Sequence, residues 1–160
     1  MGVKEILESL DWGPAPESDK FAREWLDKHG PAFGMYIDGN WVTPESGESF
    51  ETHNPATGEL LGTISQAGES EVNAAANAAR AALPSWSSYP GHVRARYLYA
   101  IARQVQKHHR LLAVIETLDN GKPVRETRDA DVPLVARHFY HHAGWAQLFD
   151  ETFPGYGPVG

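Results

Sequence analysis

The sequence predicts an α+β fragment, an antiparallel β-hairpin unit flanked by a helical layer. Asp38 and Gly39 in "MYIDGNWV" stand between two β-prone pairs. This is the strongest short-range hairpin signal, because both central residues of such a turn need positive φ. Two further β-prone runs, "ESFETHNP" and "LLGTISQ", follow directly, and "NPATG" separates them with Pro55 and Gly58 as punctuation. Most of the remaining chain shows apolar residues at helical spacing, with no additional strands to form a large sheet beneath them. Several apolar faces therefore lack a partner, which fits a piece of a larger domain better than a finished one.

In chain order, "VKEILESL" places Val3, Ile6, Leu7 and Leu10 at helical spacing before "WGPAP" breaks the pattern. A second helix is expected in "SDKFAREWLDKHG". It starts at a capping-type Ser18, carries Phe21, Trp25 and Leu26 on one face, and stops at Gly30 and Pro31. Residues 35–66 should form the small antiparallel β unit. "ESEVNAAANAARAAL" then aligns Val72, Ala75, Ala76, Ala79 and Leu83 along one stripe, its alanines permitting close helix packing. "GHVRARYLYAIARQVQKHHRLLAVIETLDNGKP" holds two helical patterns that end at Gly121 and Pro123. "ADVPLVARHFYHHAGWAQLF" is a final helix, with aromatic residues gathered in its second half.

Composition narrows the function. The 160 residues are 41% hydrophobic and 22% charged, as expected of a soluble globular chain. With 21 acidic against 14 basic side chains the formal charge is −7, and no basic stripe is expected to neutralise phosphates. Neither a nucleic-acid nor an anionic-membrane partner is therefore expected. No apolar run is long enough to span a bilayer, and "MGVKEILESL" interrupts with acidic residues the apolar core a signal peptide needs. A cytoplasmic location is the expectation. The absence of cysteine excludes disulfides, thiolate zinc sites and a cysteine nucleophile within these residues.

"GYGPVG" at 155–160 matches G-x-G-x-x-G, but no buried strand precedes it and Pro158 removes a backbone donor the motif exists to supply. It is read as coincidence. His138 and His142 form an i, i+4 pair on the last helix without an intervening Glu or an evident third ligand, so solvated or half-buried histidines are expected. His108 and His109 look like ordinary surface. "RETRDADV" alternates charge as a solvated, salt-bridged helix face does. No G-x-S-x-G elbow or Cys/His pair is present. The loops "THNPATGE" and "TLDNGKP" combine turn residues with polar side chains at element ends. Their simplest reading is turn chemistry, with Asn54 and Asp119 capping backbone groups while glycine takes positive φ.

The same two loops carry a resemblance. "YIDGNWV", "NPATGELLGTIS", the Ala-rich helix ending in "ALPSW", "ETLDNGKP" and "HHAGWAQLFDETFPG" followed by "PVG" resemble, in that order and spacing, the N-terminal portion of aldehyde dehydrogenases over residues 33–160. The leader "EILESLDWGPAPES" and the histidine-rich last helix look like the family 16 subgroup, whose members carry a second, degenerate dehydrogenase-like domain. The resemblance divides the chain into a helical leader, 1–32, and a partial cofactor-binding domain, 33–160, of α/β Rossmann-like type. It implies oxidation of an aldehyde to a carboxylic acid with NAD or NADP: a cysteine thiolate attacks the aldehyde, hydride passes to the cofactor, and a glutamate-activated water releases the acid. In the family all of those groups, and the cofactor-contacting lysine and glycine turn, follow "PVG". No catalytic and no cofactor-binding residue is therefore expected in this chain, which alone should be inactive.

The resemblance implies one partial site. Many members hold a structural cation by a "T-x-N-P" strand end and the Asp of "LDNG", here Thr52, His53 through its carbonyl, and Asp119, and oxygen ligands suit sodium, magnesium or calcium. It also implies an assembly. "FPGYGPVG" is too short for the oligomerisation hairpin of tetrameric relatives, so a homodimer is expected. Two rival readings stand beside the enzyme: a scaffolding pseudoenzyme, distinguished by the residue at the downstream nucleophile position, and a stand-alone helical interaction module, which predicts cooperative unfolding of the isolated chain.

Overall fold

The computed structural model describes residues 18–30 and 32–154. The helix expected over 3–10 and the G-x-G-x-x-G match at 155–160 lie outside the described residues. Helix α1 spans Lys20–His29. Its N-cap is Asp19 rather than Ser18, whose Oγ accepts a long bond from the Lys20 N–H at 3.3 Å. The Asp19 carboxylate is drawn to Arg23 Nε one turn on, at 2.6 Å, and caps no backbone group. Ala22 is fully buried and joins Val114 and Leu118 in the core, flanked by Phe21, Leu26, Leu61 and Ile115.

The strands are β1 (Ala32–Phe33), β2 (Met35–Ile37), β3 (Asn40–Val42), β4 (Ser49–His53) and β5 (Leu60–Ser65). The predicted hairpin is β2–β3, with Met35 opposite Val42 and Ile37 opposite Asn40. Asp38 and Gly39 take φ of 49° and 78°, as a two-residue turn of this hand requires. β4 and β5 pair antiparallel as expected, with a register break between Thr52 and His53. The β region is not one antiparallel unit, however. The hairpin is a separate two-stranded sheet, while β1 adds to β5 in parallel, Ala32 opposite Thr63 and Phe33 opposite Ile64. A two-residue strand has no periodicity to read, so only tertiary pairing reveals it.

Helix α2 (Glu69–Ser88) opens on half of a capping box. Glu71 Oε2 accepts the Gly68 N–H at 2.8 Å, but Gly68 has no side chain to return the bond. The other carboxylate oxygen accepts the Glu45 N–H at 3.1 Å and the Ser70 hydroxyl at 2.8 Å, tying the loop after β3 to the helix start. These donors, Glu45 N–H first, lower the Glu71 carboxyl from 4.5 to about 2. A depressed carboxylate stabilises the fold above its unfolded pKa, and the effect is lost as pH falls through the folded value. Stability should therefore drop between about pH 4.5 and 2 more steeply in the parent than in Glu71→Gln, measured by urea midpoints at each pH. Parallel losses in the two proteins would remove this role for Glu71.

Among the described residues the apolar stripe of α2 finds no partner: Val72 is 59% and Leu83 58% exposed. The chain exposes apolar surface that a finished domain would cover.

Helix α3 (Gly91–Lys107) packs against the last helix, α6 (Val132–Thr152). They run antiparallel, Gly91 meeting Ala146 at one end and Gln106 accepting the Tyr140 hydroxyl proton at 2.8 Å toward the other. Ala95 and Ala102 on α3, and Ala136 and Ala143 on α6, are buried. Small side chains allow the axes to approach closely. Helix α4 (His109–Asn120) ends at Gly121, whose φ of 77° makes the left-handed cap its position predicted.

Between α4 and α6 lie a short turn, α5 (Val124–Glu126), and a π-helical turn over Thr127–Asp131. The charged face foreseen in "RETRDADV" is only part of the outcome. Arg128 and Asp129 pair at the surface at 2.7 Å, and Lys122 pairs with Asp131 at 2.5 Å, which raises the lysine pKa. Thr127, among these charges, is completely buried. Its hydroxyl donates to the Ala113 carbonyl at 2.9 Å and lies 3.0 Å from the Thr117 hydroxyl, which can donate in turn. His109 is also not plain surface: its Nε2 donates to the Arg128 carbonyl at 2.6 Å and pins α4 to the π turn.

Candidate functional site

The two loops singled out in the sequence meet in space. In the first, Asn54 is buried and its Oδ1 accepts the Ala56 N–H at 2.9 Å, while its carbonyl accepts the Gly58 N–H at 2.7 Å. Gly58 has φ of 73°. This is the turn chemistry expected of "NPATG". In the second loop the expected backbone cap is displaced by one residue. Asn120, not Asp119, turns back, its Oδ1 accepting the Lys122 N–H at 2.9 Å. Asp119 is left to face across the gap, where its Oδ1 accepts the Thr52 hydroxyl proton at 2.5 Å.

Pro55 lies against Gly121, so that a Cβ at Gly121 would stand 2.8 Å from Pro55 Cγ. The strand end, the helix end and both turns thus form one junction. Beneath it a cavity of about 190 Å³ is lined by Trp25, Leu26, Phe33, Leu61, Ile64, Ile115 and Leu118, with Thr52 and Asp119 as its polar members.

Of the three residues named for a cation, the structure brings the side chains of Thr52 and Asp119 together. The His53 side chain is exposed and turns to Glu51, its Nε2 3.3 Å from Oε2, which leaves only the backbone carbonyl for the role assigned to it. Two hard oxygen donors converge, the donor type that suits an alkali or alkaline-earth ion. Among the described residues no group of three or more His, Cys, Asp or Glu could hold a metal. His138 and His142 are exposed, and His141 accepts the Trp145 indole N–H at 3.0 Å. They form no centre. What sequence reasoning missed is the contact of Pro55 with Gly121, since each residue announces only its own turn.

Among the described residues no helix is long and apolar enough to cross a membrane. The aldehyde dehydrogenase family model matches residues 41–157. Acetaldehyde dehydrogenase 2 of Cupriavidus necator is 45% identical over 109 residues, 68% of this chain and 22% of that protein. Betaine aldehyde dehydrogenase from Staphylococcus aureus, solved in complex with NAD+, superposes with a TM-score of 0.74 at 32% identity, over 81% of this chain and 25% of that one. An aldehyde dehydrogenase from Bacillus cereus, also an NAD+ complex, gives 0.69 at 36% identity, over 71% and 24%. The chain spans about a quarter of the length of the curated relatives it matches.

Proposed function

The chain belongs to the aldehyde dehydrogenase family, and from that premise we propose that it serves as the N-terminal part of an NAD(P)-dependent enzyme oxidising aldehydes to carboxylic acids. The observation that carries this reading is the match over residues 41–157, on a fold whose relatives are solved with NAD+. The chain has no cysteine, so a thiolate nucleophile must come from residues outside it. When bound, the nicotinamide accepts hydride; no residue in 1–160 is assigned to that step. The role of these residues is to pack, through the exposed apolar side chains of α2, α3 and α6, against the rest of a cofactor-binding domain. On this reading residues 1–32 are a helical leader and 33–160 a partial domain. The leader and the histidine-rich last helix favour the family 16 subgroup, the short 153–160 segment favours a homodimer, and the acidic residues that interrupt "MGVKEILESL" favour the cytoplasm.

Thr52, the His53 carbonyl and Asp119 would hold a structural cation of sodium, magnesium or calcium type in the complete protein. The convergence of the Thr52 and Asp119 oxygens supports that assignment. A bound cation would supply no redox chemistry; it would clamp β4 to the end of α4.

The test of the enzymatic reading is direct. The complete protein, given a panel of aldehydes with NAD+ or NADP+, should produce reduced cofactor, and the 160-residue chain should produce none. A complete protein without cysteine at the nucleophile position, and without turnover on any aldehyde, would overturn it.

A further inference from the structure

The formal charge of −7 conceals a strong local asymmetry. Residues 1–71 hold 14 acidic and 4 basic side chains, a net −10. Residues 72–115 hold six Lys or Arg and no acidic residue at all. The expectation that no basic stripe exists is therefore wrong for this segment. On α3, Arg96, Arg103 and Lys107 are exposed and lie on one helical face, two and then one turn apart. Arg103 and Lys107 are like charges at i, i+4, an arrangement that disfavours the isolated helix.

Among the described residues, none of the three makes an ion pair; pairs lie elsewhere, such as Arg23 with Glu59 and Lys122 with Asp131. A solvated helix face normally mixes signs, as Lys20 and Glu24 do on α1. This face does not. Lys and Arg are almost never fully buried without a partner, whereas the exposed apolar stripe of α2 is surface for the rest of the domain to cover.

We infer that the Arg96, Arg103 and Lys107 face of α3 docks the acidic N-terminal surface of a second copy of this protein. Each copy carries both halves of the complementary pair. Asp27 and Glu48 in residues 18–71 are exposed carboxylates available to it. A polyanion fits less well, because it must approach the same stripe past a chain whose first 71 residues are strongly acidic. The contact joins unlike surfaces, stripe to acidic surface, so two copies can close it reciprocally or further copies can extend it. It is also electrostatic and surface-exposed, so salt should screen it.

Sedimentation equilibrium on the complete protein tests this independently of turnover. Lowering salt from about 0.5 M to about 0.05 M, which lengthens the Debye screening distance, should raise the association constant about tenfold or more. The Arg96→Glu, Arg103→Glu, Lys107→Glu triple variant should show no such rise. The corresponding triple Gln variant removes charge while keeping polar side chains, and should behave likewise with unchanged far-ultraviolet circular dichroism. A parent mass that is the same at both salts would overturn the proposal. So would a Gln variant that keeps the salt-dependent rise, or salt-sensitive retention on a polyanion matrix without any change in mass.

Discussion

Gly91→Ala should destabilise the protein by about 3 kcal/mol, at the upper end of what overpacking of a tight interior costs. The reason is one of position. Gly91 opens α3 where that helix crosses α6, and an added Cβ would overlap the carbonyl oxygen of Ala146. The obstacle is main chain, which cannot rotate away as a flexible side chain could. The two helices would have to separate, loosening the buried alanines, Ala95, Ala102, Ala136 and Ala143, that line the seam. Gly144→Ala supplies the control. Gly144 lies inside α6 with nothing within 4 Å of its would-be Cβ, so alanine there should stabilise by up to about 1 kcal/mol through helix propensity alone. Urea denaturation of the two variants should thus give shifts of opposite sign. Equal shifts would mean that the α3–α6 contact is looser than described.

Gly121→Ala should cost about 2–4 kcal/mol, combining left-handed strain with a steric clash. Its φ of +77° disfavours any side chain, and the Cβ would press on the rigid ring of Pro55 at 2.8 Å. Gly58→Ala separates the two effects. Gly58 has a similar φ, +73°, but open space around it, so only the strain of about 1–2 kcal/mol should appear. The difference between the variants measures the contact that joins the two loops. A second readout follows, because the junction sets Thr52 opposite Asp119. In the complete protein Gly121→Ala should weaken any cation held there, and refined density at Asp119 that is plainly water in the parent would remove the cation assignment.

Much of the local structure was legible in advance because its causes are local. The Asp38-Gly39 turn, the "NPATG" turn with Asn54 and Gly58, and the glycine stop at Gly121 each follow from a residue's own φ preference or short side chain. Other features were not legible, because their causes lie far along the chain. The pairing of β1 with β5, the burial of Thr127 within a charged stretch, and the bond of His109 to Arg128 all depend on elements brought together by folding. Asp119 shows the division within a single residue. Its loop pointed to a polar role, but the local cap fell to Asn120, and Thr52 supplied the partner.

The sequence by itself determined the fold class, the turns, the helices' approximate extents and the absence of a thiol nucleophile, since periodicity, φ preference and composition are properties of neighbouring residues. The tertiary structure decided which oxygens converge at the junction, where the α3–α6 seam tolerates no side chain, at Gly91, and which charged face stands without a partner among the described residues. Those outcomes depend on distances between residues far apart in the chain, and packing alone sets such distances.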